Sequence, residues 1–276
     1  MTPLVIALVL GAALLHASWN AILRGGADRL WSITVMCAVS IVVALPFLVL
    51  LPSPARASWP CIALSSALQI AYCFFIVRAY AHGGLAQVYP LARGSAPLLV
   101  TLGAAILAGE KLNASALAGI CLVSLGIMAL AFERARLAAA STLLALASGG
   151  FIAAYTVTDG IGARLSGDPR SYIVWLFVVQ GLGMIASYRA VRRSFALPGL
   201  GELVKAVIGG VFGLLSYGLV IWALAHAPMG QVSALRETSI LFAAVLGAVF
   251  LKEKVTLPRA GAAAMIAAGA VVLAAG

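Results

Sequence analysis

Apolar stretches of about 20 residues recur from one end of this chain to the other, each long enough to cross a hydrocarbon layer about 30 Å thick as an α-helix. "PLVIALVLGAALLHASWNAI" near the start and "AGAAAMIAAGAVVLAA" near the end are two of them. The runs are continuous and lack the period-two alternation of barrel strands, so each segment must satisfy its backbone groups internally, as a helix does. Composition closes off the soluble alternative. Only 9% of the 276 residues are charged and 63% are hydrophobic, against roughly a quarter charged in a soluble domain. The chain reads as an all-α polytopic membrane protein.

Ten spans can be placed, at about 3–23, 30–51, 59–81, 85–109, 113–132, 137–162, 170–191, 203–225, 229–251 and 256–275. The connections are too short for an extramembrane domain. The polar interruption "FERARL" at 132–137 divides the chain into five-span units, 1–133 and 137–276. The units resemble each other. "AHGGLAQV" at Ala81 aligns with "AHAPMGQV" at Ala225, an offset of 144. "ARGSAPLLVTLGAAILAGEK" at Ala92 aligns with "LRETSILFAAVLGAVFLKEK" at Leu235, an offset of 143. An odd number of spans per unit makes the second enter the membrane in the opposite sense. The expected architecture is therefore two inverted five-helix repeats, which place a substrate site near the midplane between them. The N-terminal run lacks the basic region of a cleaved signal peptide and is expected to remain as the first span.

This pattern resembles the EamA-like branch of the drug/metabolite transporter superfamily. The resemblance rests on the five-plus-five layout, the "EK" pair closing spans 4 and 9, and the ends "AGEKLNASALAGICLVSLGIMAL" and "LKEKVTLPRAGAAAMIAAGAVVLA". It implies a cavity between spans 1, 3, 4, 6, 8 and 9, and export of amino acids or other metabolites. Spans 5 and 10 hold little that is polar. Their small-residue pairs, Ser115 with Gly119 and Ala264 with Ala268, suit close helix packing and mark these spans as scaffold.

Polar groups inside spans carry the most information, because a charge at mid-bilayer costs about 2.5–3.5 kcal/mol on insertion scales. His16, Trp19 and Asn20 have the i, i+3, i+4 spacing of one helix face. Tyr155 and Asp159 share a face of span 6, and Tyr89, Pro90, Arg93 and Pro97 share one of span 4. Ser233 lies with Arg236 or Glu237 in span 9, and Arg78 falls late in span 3. The expected substrate-binding set is Trp19, Asn20, Arg78, Tyr89, Arg93, Tyr155, Asp159 and Arg236. Asp159 and Glu237, the two acids inside spans, are the coupling candidates. Two readings of Arg93 stay open: a bidentate hold on an anionic substrate group, or an ion pair with Asp159 or Glu237 that locks the halves. Asp159 likewise serves coupling, a substrate amine or a static salt bridge. Tyr72, Phe75, Tyr217 and Trp222 are further aromatic candidates for the cavity wall. His82 and His226 read as span-end interface residues, and Glu110 and Glu253 as helix-end structure.

The net charge of +10 does not point to nucleic acid, because the basic residues are scattered through short loops. Cys37, Cys61, Cys73 and Cys121 show no metal-ligand spacing, and no metal or cofactor is expected. No HExxH, GxSxG or paired-carboxylate motif argues for an enzyme, and no Walker loop argues for ATP drive. Eleven basic residues fall on loops of one side and four on the other. The positive-inside rule then puts both termini outside the cytoplasm, whereas the family resemblance implies both inside. The expectation is a multi-pass inner (plasma) membrane transporter, secondary-active, exporting a small polar or amphipathic, amino-acid-like metabolite by alternating access. Its partners are that small molecule, a proton and the lipid bilayer, and a monomer suffices. The alternative is a passive facilitator or structural membrane partner without ion coupling.

Overall fold

The computed structural model describes residues 1–23, 28–82, 85–133, 139–192, 199–250 and 256–275. Their helices are α1 (Pro3–Ile22), α2 (Arg29–Leu50), α3 (Trp59–His82), α4 (Leu85–Leu107), α5 (Ala114–Ala129), α6 (Ala139–Leu165), α7 (Pro169–Arg192), α8 (Leu200–His226), α9 (Met229–Arg236), α10 (Ser239–Phe250) and α11 (Leu257–Ala275). Short 3-10 turns precede α3 (Arg56–Ser58) and follow α5 (Leu130–Glu133). Among the described residues no strand occurs. Local chemistry sets several helix starts. Thr2 caps α1 ahead of Pro3, Asp28 accepts from Trp31 N–H at 3.0 Å, and Asn113 accepts from Ala116 N–H at 2.8 Å.

Nine of the described segments are long and apolar enough to cross a membrane, with the shorter α5 as a tenth apolar helix. The distribution of polarity fits a lipid solvent. Val49, Ile106, Leu143 and Val271 face outward, while Arg93, Asp159, Arg236 and Glu237 are buried. The span expected at 229–251 is not one continuous helix. It breaks between Arg236 and Ser239, where Glu237 and Thr238 take tighter i→i−3 bonds to Ala234 and Leu235. The break falls at the two charged residues of that span.

α4 and α9 cross in opposite directions. Thr101, late in α4, lies against Gly230, early in α9, while Arg93, two turns earlier in α4, meets Glu237 at the far end of α9. α4 also packs on α6 and α5, α3 on α6 and α7, and α1 on α8. α5 and α11 pack closely, as expected of a scaffold pair, and of the expected seam residues Gly119 lies in the contact while the other three do not. Ser115, Ala264 and Ala268 are exposed. The contact runs through Gly119, Gly126 and Gly269, and a methyl on Gly269 would lie 2.8 Å from the Gly119 carbonyl oxygen. The helices are rotated so that glycine, not alanine, occupies the closest approach, because only glycine admits backbone-to-backbone contact.

At one membrane face the ends of four helices are tied together. Gly109, at φ +66°, turns the chain out of α4, and Glu110 N–H returns to the Ala104 carbonyl at 3.2 Å. The Glu110 carboxylate then pairs with Arg164 at the end of α6 and accepts from Met229 N–H at 2.9 Å at the start of α9. Arg164 donates in turn to the carbonyls of Leu224 (3.0 Å) and Ala227 (2.9 Å) at the end of α8. The expectation that Glu110 serves helix-end structure agrees with this clasp. Glu253 lies outside the described residues. Beneath the clasp is an apolar layer of Val100, Ala104, Val157, Leu224, Met229 and Val232.

Candidate functional site

A polar cluster inside the bundle is built around Asp159, which is fully buried on α6. Its Oδ1 accepts from the Tyr172 hydroxyl at 2.9 Å. Its Oδ2 accepts from the Tyr217 hydroxyl at 2.5 Å and, at a longer 3.4 Å, from Gln69 Nε2. Gln69 also donates to Ser65 Oγ at 2.9 Å and accepts from Gln180 Nε2 at 3.0 Å. Helices α3, α6, α7 and α8 thus converge on one carboxylate. Every contact to it is a neutral donor, and among the described residues no basic side chain lies within ion-pair distance. The static salt bridge considered for Asp159 is therefore not the arrangement found.

The second part of the cluster lies at the break after α9. Arg93 Nε approaches Glu237 Oε2 to 2.8 Å, with side-chain exposures of 6% and 2%. The approach is off the N–H axis and works as an ion pair rather than a directed hydrogen bond. Of the two acids considered as its partner, Arg93 takes Glu237. Its guanidinium also lies over the Tyr89 ring at 6.0 Å. Adjacent positions on a helix diverge by about 100°, and Arg236 accordingly points elsewhere. Its Cζ sits 5.2 Å from the centre of the Tyr217 ring. Its Nε has no acceptor, and among the described residues no acid pairs with it. Arg236 and Asp159 therefore face the same tyrosine, one over the ring and one at the hydroxyl.

Tyr155 joins the two parts, with edge contacts to Tyr72 (6.0 Å) and Tyr217 (5.9 Å). In α1, His16 lies near enough to Arg93 and Arg236 to feel both charges. Trp19 sits edge-on to His16 at 5.1 Å, and the Asn20 amide donates to the His16 carbonyl on its own helix. The expected residues Tyr89, Arg93, Tyr155, Asp159, Arg236 and Glu237 are thus brought together, while Trp19 and Asn20 stand beside the cluster on α1. The side chain of Arg78 lies outside the described residues, as do those of His82 and Gln87. His226 is exposed at the end of α8, stacked on Trp222, which agrees with its span-end reading. Phe75 packs on Phe151, away from the carboxylate.

Gln69, Tyr172 and Gln180 were not expected, and two of them carried a signal. A glutamine inside an apolar span is costly unless its amide is partnered, and Gln69 and Gln180 are such residues in α3 and α7. Tyr172 had no such mark, since a tyrosine near a span end is ordinarily an interface anchor. Among the described residues no group of histidine, cysteine or acidic side chains could hold a metal ion.

Residues 140–275 match the model of the EamA-like transporter family. No curated protein matches the chain. Among solved structures 29 chains match. One of them, described as "Crystal structure of protein", superposes with a TM-score of 0.81 over 99% of this chain and 96% of its own. At 19% identity that likeness is one of fold.

Proposed function

Taking as premise that the chain belongs, over residues 140–275, to the EamA-like transporter family, we propose that this membrane transporter is secondary-active and exports an amino-acid-like metabolite across the inner (plasma) membrane by alternating access. The observation that carries the reading is the pairing of two buried groups of opposite charge, neither ion-paired, across one tyrosine. Asp159 is held only by neutral donors, and Arg236 lacks an acceptor at Nε. A zwitterion supplies what each lacks: its ammonium group goes to Asp159, and its carboxylate takes the planar fork of Arg236. A proton competes with the ammonium for Asp159, so a proton gradient can drive exchange.

Arg93 is assigned a different part. Glu237 already neutralises it, so the pair serves as a lock between α4 and α9, and Glu237 joins the coupling only if that pair opens. The opposed directions of α4 and α9 are what two inverted repeats, 1–133 and 137–276, require, and rocking of those units about the cluster is the proposed movement.

The test uses purified protein in vesicles placed in a radiolabelled mixture of neutral amino acids under an imposed pH gradient. Accumulation against the substrate gradient is expected. Asp159→Asn, fixed neutral, should abolish it, and Arg236→Gln should weaken binding of substrates that carry a carboxylate. A wild type that only equilibrates would favour the facilitator reading. Unchanged accumulation by Asp159→Asn would end the proposal.

A further inference from the structure

Three helix rows run from the arginine part of the cluster to the clasped face, and each is filled by apolar side chains. On α4, Val100 and Ala104 lie between Arg93 and Glu110. On α8, Val220 and Leu224 lie between Tyr217 and Ala227. On α9, Met229 and Val232 come before Arg236. All six are 0% exposed and belong to one apolar cluster. A path from the cluster to this face along these rows opens only if that plug parts, and the clasp lies across its outer end. The clasp is built of bonds that water can replace. The Leu224 and Ala227 carbonyls lie at the end of α8, and the Met229 N–H lies at the start of α9. Groups at those positions have no partner within their own helix, so their bonds can be given up without unwinding it. Glu110 and Arg164 also match the helix ends they hold, an anion at the start of α9 and a cation at the end of α8.

The link between α4 and the far end of α9 has the opposite character. The side chains of Arg93 and Glu237 are 6% and 2% exposed, so parting them strands two charges in the interior. Those of Glu110 and Arg164 are 11% and 32% exposed. Arg164 has acceptors on both sides of the seam: Glu110 on the turn after α4, and the two carbonyls at the end of α8. It therefore keeps a partner when either side moves away, while Glu110 and the Met229 N–H turn to water. We propose that the hold of Glu110 on the start of α9 is a releasable latch. Engaged, it keeps this face shut. Released, it lets the plug part and opens the cluster to this face, while Arg93 and Glu237 stay paired. The inference rests on the alternating-access reading proposed above.

The experiment measures distances between paired spin labels by double electron–electron resonance. It uses the purified full chain in lipid nanodiscs, with Cys37, Cys61, Cys73 and Cys121 replaced by alanine. Labels at Ala114→Cys and His226→Cys, both exposed positions, span the clasped face. Labels at Ala139→Cys and Lys205→Cys, exposed at and near the starts of α6 and α8, span the other. With Glu110 intact the first pair should give mainly the clasped distance. Glu110→Ala should raise the ratio of a second, longer distance about tenfold, the factor carried by one hydrogen bond to a charged group. Glu110→Lys, which sets a cation beside Arg164, should raise it further, to the same longer distance. The second pair should convert in the same proportion, because alternating access moves both faces together. Should neither variant fold, Glu110→Gln, which keeps an acceptor for the Met229 N–H, must shift both pairs the same way by less. Unchanged distances at both pairs overturn the proposal. So does a change confined to the first pair, which is fraying of a static clasp. No substrate or gradient enters the measurement, so a failed latch and a failed vesicle assay are read separately.

Discussion

Breaking the clasp at one membrane face should destabilise the fold by an amount that its bonds set. Arg164 donates to the Leu224 and Ala227 carbonyls at 3.0 and 2.9 Å and pairs with Glu110. A hydrogen bond from a charged group is worth about 1.5–3 kcal/mol, and with 32% of the Arg164 side chain exposed each carbonyl bond falls at or below the low end. The ion pair adds at most about 1 kcal/mol at such a boundary. Arg164→Gln should therefore cost about 2–4 kcal/mol. At about 2–4 °C per kcal/mol for chains of comparable length, this lowers the thermal midpoint in detergent by roughly 5–10 °C. Glu110→Gln should cost less, because the amide oxygen still accepts from Met229 N–H. The double variant should lose less than the sum of the two singles, with a coupling beyond the roughly 0.3–0.5 kcal/mol scatter of independent sites. The assay is thermal unfolding followed by tryptophan fluorescence. A shift under about 1 °C for Arg164→Gln would refute the estimate, and strict additivity would refute the claim that the two side chains act together.

Three further outcomes are expected. Glu237→Gln leaves Arg93 buried without its counter-charge and should cost about 3–5 kcal/mol, whereas replacing both residues by leucine should recover much of that loss; thermal unfolding of the three variants checks the order. Gly269→Ala places a methyl against the Gly119 carbonyl and should destabilise by about 1–3 kcal/mol through overpacking, while Ala268→Leu on the exposed face should be neutral by the same assay. The positive-inside count predicts that the face bearing Arg170 lies outside the cytoplasm, and the family resemblance predicts the opposite. By the count, Arg170→Cys should react with an impermeant maleimide in intact cells, and Glu202→Cys only after lysis; the reverse pattern would mean that the positive-inside count misleads for this chain.

Membrane class, span positions and the candidate charges were legible in the sequence because the bilayer imposes a local rule. About 20 apolar residues in a row can satisfy their backbone only as a helix, and a charge inside such a run must face protein. Tyr155 with Asp159, and Tyr89 with Arg93, follow from helical spacing alone, and both pairs lie in the cluster. The partners across helices did not follow. Asp159 binds Tyr172 and Tyr217, on two other helices, and Arg93 takes Glu237 rather than Asp159. The rotation of each helix about its axis is decided by which residues allow close approach, as between α5 and α11, where the expected Gly119 meets Gly269 and not the expected Ala264 or Ala268. The break at Glu237 was equally hidden, since "ALRETSILF" reads as continuous helix by composition. A break of this kind is tolerated where its backbone and charges are enclosed by protein, and the other helices that provide that enclosure come from distant parts of the chain.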